Sequence, residues 1–303
     1  MSTPTKRFFD HDLKLVAAVS SAVSLISFLY YFQRGEILLY GDAIAHINIA
    51  RRVFDSQTPG LLQLGTVWLP LPHLLMIPFL VSDKMWQSGV VGSIPSMIAY
   101  VLGVMGIFRF TSSMLEDDDR TRPWARSGAW LAALVYGANP NLIYLQTTAM
   151  TEPLYLALFI WAVVYFADFL RSLRHSTPEL MENSASSRPL YRCAACLAGA
   201  ELTRYDGWFL AAVIGSVVFF LLLRRLSDRT FRRAALKFLA GSRPRLCCGL
   251  RTTRPSTEIR WSSRTVRTRR RRLSNGRPSP YIQRTRERGM SLWRPAFFSS
   301  PAS

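Results

Sequence analysis

Three short polar motifs interrupt long apolar runs in this chain, and each carries side chains suited to group transfer. The first is YGDAIAH, with Asp42 followed one helical turn later by His46. A carboxylate beside a bilayer surface can take a proton from an acceptor hydroxyl while the oxygen attacks a sugar carbon. A histidine at that spacing is suited to hold a phosphate or a metal. The second motif is AMTEPLY, where Glu152 stands at the mouth of an apolar run and can bind sugar hydroxyls. The third is LTRYDGW, which sets Arg204 and Asp206 between two apolar runs. Ionisable groups at membrane boundaries are functional suspects, and a guanidinium there can hold a phosphate leaving group through charge-assisted hydrogen bonds.

Each motif also has a plainer reading. Asp42 can serve as the N-cap of a helix beginning at Ala43, and His46 can be a surface residue. Glu152, just before Pro153, fits the first turn of a helix and its dipole. Arg204 and Asp206 can simply pair across a tight helix connection. Trp68, Tyr205 and Trp208 fit the aromatic belt of a membrane interface. Cys193-x-x-Cys196 has redox or zinc spacing, but it lies in the small-residue run CAACLAGA with no second pair and no nearby His. Small residues packing between membrane helices explain it.

The elements that position these motifs are apolar. Of 303 residues, 49% are hydrophobic, and they gather in uncharged runs of about 17–23 residues, the length that crosses a hydrocarbon core as a helix. The pattern predicts an all-α integral membrane protein with about six transmembrane helices, over residues 15–32, 90–110, 127–145, 154–170, 190–203 and 208–223. Between the first two lies a long polar stretch. Ile44, Ile47, Ala50 and Phe54 recur there at helical spacing, which predicts an amphipathic loop helix lying along the membrane surface. Residues 69–81 are apolar but contain Pro70, Pro72 and Pro78, and read as an interfacial or re-entrant piece.

Charge orients the chain. Basic residues Lys6, Arg7 and Lys14 precede the first run, and arginines crowd the loops at 109–126, 171–188 and 224–233. If 69–81 does not cross, all of these fall on one side, which the positive-inside rule assigns to the cytoplasm together with the N-terminus. The three polar motifs then share the extracytoplasmic side.

The net charge of +19 is not evidence of nucleic-acid binding, because +14 of it lies in residues 241–303, with 16 Arg and no Lys. The first 240 residues carry only +5, ordinary for basic cytoplasmic loops. This organisation divides the chain into 1–240, a membrane domain, and 241–303, an irregular Arg/Ser/Pro-rich tail. Two readings of the tail stand. One is a disordered basic segment binding anionic lipid or nucleic acid. The favoured one is a one-base frameshift near Gly241, since permitted codons for residues 250–276 read one base over as a sequence containing YGNPLEFANGPYS. On that reading nucleic acid is not a partner.

Taken in order, the loop acid after the first helix, the Pro-rich WLPLPHLL, AMTEPLYLALF and LTRYDGWFL resemble the GT-C membrane glycosyltransferases. That group contains protein O-mannosyltransferases and lipid A aminoarabinose transferases. The resemblance covers about residues 10–240, the N-terminal part of the family's membrane domain, and the Lys often found in the Pro-rich segment is absent. The resemblance implies a fragment of an inverting enzyme in a bacterial-type inner membrane. Its donor would be a polyprenyl-phosphate-linked sugar, and the acceptor a protein, lipid or glycan hydroxyl. Asp42 matches the family's loop acid and general base. Glu152 and Arg204 match the family less closely as substrate-binding residues, and His46 and Asp206 join them as substrate-binding candidates on their own chemistry. No cofactor is certain, and a divalent metal is compatible with the group. The alternative is a non-enzymatic multi-span protein, a transporter or assembly partner. The absence of an internal repeat and the clustering of acids at one face count against it.

Overall fold

The computed structural model describes residues 4–64, 68–80, 82–175, 188–224 and 229–241. The Arg-rich tail, with Cys247 and Cys248, lies outside the described residues, apart from Gly241 at a helix end. Among the described residues there are helices and turns and no strand, as the apolar pattern predicts.

Four helices are long and apolar enough to cross a membrane. They belong to α1 (Pro4–Gln33), α5 (Val90–Glu116), α8 (Glu152–His175) and α10 (Asp206–Arg224). Two of the expected spans are shorter. The run at 127–145 is broken into α6 (Ala125–Gly137) and α7 (Pro140–Leu145). Pro140 cannot continue a helix, and the Asn139 side chain caps the new one by accepting from the backbone N–H groups of Asn141 and Leu142. The other short run forms α9 (Arg188–Glu201), 14 residues long. At 1.5 Å per residue such a helix spans about 21 Å, less than a hydrocarbon core.

The connection after α1 holds three small helices, α2 (Gly41–Arg51), α3 (Pro70–Met76) and α4 (Asp83–Ser88). Helix α3 has seven residues and continues as a 3-10 turn, Ile77–Phe79. At about 10 Å it is too short to cross, in line with an interfacial piece. A final helix, α11 (Arg229–Gly241), follows α10.

Side-chain pairs fix how the long helices run. Tyr100 of α5 donates to the carbonyl of Gly137 at one end of α6, and Phe108 stacks edge-on against Trp130, so α5 and α6 are antiparallel. Trp161 donates to the Leu102 carbonyl and Arg109 pairs with Asp168 at 2.7 Å, so α5 and α8 run the same way. Gly199 of α9 packs on Leu158, and Arg192 lies over the Tyr165 ring, so α8 and α9 are antiparallel. Arg126 holds Asp12 through two hydrogen bonds and Gln146 accepts from Ser24 at 2.7 Å, which sets α1 parallel to α6. The consequence is an up-and-down bundle. The starts of α5, α8 and α10 share one end with the α2–α4 connection. The ion pairs Asp12–Arg126, Arg109–Asp168 and Arg171–Asp117 lie toward the other.

Helix α5 is the centre of the bundle. Tyr100, Val104 and Phe108 are buried against Val16 of α1 and Ala129 and Ala133 of α6. A second core joins α8, α9, α10 and α11 through Phe169, Leu190, Leu197, Val218 and Phe238. By contrast, α1 leaves Leu25, Ile26 and Leu29 exposed, and α10 leaves Phe209, Val213, Phe219 and Phe220 exposed. A water-soluble protein rarely presents such contiguous apolar faces, and lipid is the solvent that accommodates them. Cys193 and Cys196 are free thiols, with Cys193 fully buried in the second core, so the pair packs rather than bridges.

Helix α2 departs from the expected surface stripe. Ala43, Ile47 and Ala50 are buried against Met76, Leu80 and Val91, whereas Ile44 is exposed and Phe54 lies beyond the helix end. Residues at positions 43, 47 and 50 share one face, while Ile44 is rotated about 100° from Ala43. The face thus packs on the protein itself. Arg51 locks the arrangement by donating to the Leu80 carbonyl at 2.9 Å and pairing with Asp83 at 2.7 Å.

Candidate functional site

The three motifs meet. Asp42, His46, Glu152, Arg204 and Asp206 all line one cavity of about 300 Å³, together with Trp68, Leu69, Met150, Thr151, Thr203 and Tyr205. Its floor and walls come from α2, the strand-like entry to α3, the start of α8 and the turn between α9 and α10. Asp42, Glu152 and Asp206 each stand in the first turn of their helix, where the positive end of the helix dipole favours a carboxylate.

The approach to Glu152 is built by α5. Ser93 donates to the Thr147 carbonyl at 2.6 Å and Ser96 to the Met150 carbonyl at 3.2 Å, which ties the backbone just ahead of Glu152 to the central helix. Gln146, Thr147 and Thr148 are fully buried there. The α9–α10 turn is tied down in turn by α3, where the Leu71 N–H donates to the Leu202 carbonyl at 3.0 Å. The Pro-rich segment therefore holds LTRYDGW in place.

Arg204 is the hub of the cavity. Its Nη1 donates to Glu152 Oε1 at 2.9 Å and to Thr151 Oγ1 at 3.3 Å, while Nε donates to Asp206 Oδ2 at 3.0 Å. The contact with Asp206 at the helix connection is thus real, and Glu152 joins it. Two carboxylates thus share one guanidinium. The other oxygen of Glu152, Oε2, is buried without a partner. Asp42 differs from both acids. Tyr40, not Asp42, is the N-cap residue of α2, and no side chain caps that helix. Asp42 is exposed at the cavity and makes no hydrogen bond or ion pair among the described residues.

His46 is not a surface residue. It is 97% buried, its ring lies 4.6 Å from that of Trp68, and its Nδ1 is 2.9 Å from Nε2 of His73. His73, fully buried on α3, carries no signal in the sequence beyond being a polar residue in an apolar segment. Trp68 likewise does more than mark an interface, since it forms a wall of the cavity beside His46. Burial lowers the pKa of His46, and Arg204 adds to this against the pull of Asp42 and Glu152. His73 is pushed down from 6.5 to about 4, first by burial and then by His46, with the Leu69 backbone opposing. Both shifts favour the neutral ring.

This has a consequence for stability. An unfolded chain binds a proton at His73 below 6.5, but the folded one resists until about 4. The stabilisation is fully present above 6.5 and is lost as pH falls through that window. Thermal unfolding in detergent should therefore weaken on acidification from 6.5 toward 4, and His73→Phe should flatten that part of the profile. An unchanged profile in the variant would remove the assigned cause.

Gly207 sits where the α9–α10 turn is tightest. A Cβ there would lie 2.5–2.6 Å from the backbone of Ala200, which cannot swing aside as a side chain can. Gly207→Ala is expected to cost about 1–3 kcal/mol and to displace Asp206 and Arg204. Chemical denaturation of the variant against Gly215→Ala, where the nearest atom is 3.9 Å away, measures the difference. Equal stability would show that the turn is looser than its geometry.

Among the described residues no three His, Cys, Asp or Glu side chains converge to hold a metal ion. No protein-family model matches the chain, and neither the curated proteins nor the solved structures contain a match to it.

Proposed function

We propose that this chain is the N-terminal membrane part of an inverting glycosyltransferase that uses a polyprenyl-phosphate-linked sugar, with Asp42 as general base. The observation that carries the reading is the contrast among the three cavity acids. Glu152 and Asp206 are both paired with Arg204, whereas Asp42 faces the same cavity unpaired. A base must keep a lone pair for the incoming proton, and Asp42 is the cavity acid with neither carboxylate oxygen engaged by an ion pair.

In this reading the acceptor hydroxyl gives its proton to Asp42 as its oxygen bonds to the anomeric carbon. The bond from that carbon to the phosphate oxygen breaks, and polyprenyl phosphate leaves with the electron pair. Attack opposite the leaving group inverts the configuration. Glu152 Oε2 is placed to accept a sugar hydroxyl, and Arg204 holds Glu152 and Asp206 in position. The resemblance of WLPLPHLL, AMTEPL and LTRYDGW to the GT-C group supports the assignment. In this reading the cavity opens on the extracytoplasmic face of a bacterial-type inner membrane and the N-terminus lies in the cytoplasm, with the broken α6–α7 and the short α9 joining the four long helices as six spans.

The test is transfer of a radiolabelled sugar from polyprenyl phosphate to membrane acceptors in proteoliposomes holding the 303-residue chain. A new glycosidic bond formed at the face accessible to the cavity supports the enzyme. Movement of the intact lipid-linked sugar across the bilayer, with no new bond, supports a transporter and sinks the proposal.

A further inference from the structure

Helix α11 doubles back along α10. Leu239 lies 3.9 Å from where a Cβ on Gly215 would stand, and Ala234, Ala235 and Phe238 are buried in one core with Val218 and Leu222. Gly215 is about 14 Å inside the Arg224 end of α10 at 1.5 Å per residue. Helix α11 therefore starts at the end of the bundle that carries the arginine ion pairs and runs toward the membrane interior. Its outer face is basic. Arg232, Arg233, Leu236 and Lys237 are exposed there, with 236 one turn beyond 232 and 237 one turn beyond 233. Arg233 and Lys237 are thus like charges at a spacing where repulsion destabilises a helix. Among the described residues, none of the three cations makes an ion pair or a side-chain hydrogen bond. Asp12, Asp117, Asp119 and Asp168, toward the same end, are already paired with other arginines.

We propose that this face is a headgroup site for an anionic phospholipid of the adjoining leaflet. Arg232, Arg233 and Lys237 hold the phosphate oxygens, and an acyl chain lies against Leu236. The occupant is an amphiphile, because Leu236 is 52% exposed beside the cations and a free phosphate would leave it bare. An apolar helix packed on the same face would bury three cations without counter-charge, which is costly. Helical side chains lean toward the N-terminus of their own helix, which for α11 is the headgroup level. Lys237, about 11 Å in from that level, reaches back to it along its own apolar stem. Arg224 is the opposite case. It ends α10, leans toward the membrane interior and lies 4.4 Å over the Phe220 ring, so it stays out of the site. The site needs a membrane around α11 and makes no use of the transfer reaction.

The test is photolabelling of the full 303-residue chain in phosphatidylcholine nanodiscs. The probe is a phosphatidylglycerol with a diazirine near its headgroup, and mass spectrometry maps the labelled residues. Mapping separates α11 from the Arg-rich tail, which attracts the same lipid. Labelling within 229–241 is expected, competed by unlabelled phosphatidylglycerol and not by added phosphatidylcholine. Combining Arg232→Gln, Arg233→Gln and Lys237→Gln should raise the phosphatidylglycerol needed for half-maximal labelling there by about 10²-fold, or about fivefold for each charge near the surface. Arg232→Lys, Arg233→Lys and Lys237→Arg together keep the charge and should keep the labelling. Equal labelling of α11 by a zwitterionic probe overturns the proposal, as does labelling that survives the triple Gln change. So does an α11 that the probe never labels, since protein would then cover the face.

Discussion

Asp42→Asn should lower sugar transfer by about 10²–10⁴-fold, the range in which a positioned acid or base contributes, while leaving the fold intact. The two effects separate because of where Asp42 stands. Its side chain caps nothing and pairs with nothing among the described residues, so removing the charge costs its interaction with the end of α2, about 0.3–1 kcal/mol. The amide keeps the shape and polarity of the carboxylate but cannot take the proton. Donor binding, measured by protection of the lipid-linked sugar or by fluorescence of Trp68, should change little. Asp42→Glu should recover part of the rate, since it restores a base displaced by one methylene. A variant that binds donor and transfers at the wild-type rate would leave Asp42 a surface carboxylate, and the enzyme reading would lose its base.

The second large effect is expected at Arg204. Replacing it by Met leaves Glu152 and Asp206 facing one cavity without their shared counter-charge, and Glu152 already holds one buried oxygen without a partner. Hydrogen bonds to charged groups contribute about 1.5–3 kcal/mol each. The Arg204 and Glu152 side chains are about one-third exposed, and solvent screening brings the pair toward the lower end of that range. Transfer should fall with a loss of substrate binding, because both acids move away from positions that only the planar fork can hold. Arg204→Lys is expected to recover little, since an ammonium cannot reach two carboxylates along different edges as a guanidinium does. The decisive comparison is a double-mutant cycle. Glu152→Gln removes the repulsion, so Arg204→Met should cost less in that background than in the wild type. Strict additivity of the two changes would mean that Arg204 and Glu152 act independently, and the hub role would be wrong.

Much of this was legible in the chain itself. Long uncharged runs can be satisfied only by helices in lipid, because only a helix pairs its own backbone groups there. The distribution of arginine put the polar motifs on one side. Asp42, Glu152, Arg204 and Asp206 stood out because each interrupts an apolar run at a helix boundary, where an ionisable group is costly unless something uses it. The break between α6 and α7 was also written locally, in Asn139 and Pro140, although the apolar stretch around them reads as one span.

Tertiary structure alone decided the rest. That the loop acid, the start of α8 and the α9–α10 turn enclose one cavity depends on Ser93 and Ser96 gripping the backbone before Glu152, and on α3 gripping Leu202. These contacts join residues far apart in the chain, and no local period encodes them. The partition of the acids into two paired and one unpaired is a matter of ångströms, set by how closely Arg204 approaches each. His73 is the clearest case. It sits among prolines and leucines, and its partner is 27 residues away on another helix. Sequence records a side chain's chemistry and its periodic face, while a hydrogen bond between two buried rings is decided by the packing that brings them to 2.9 Å.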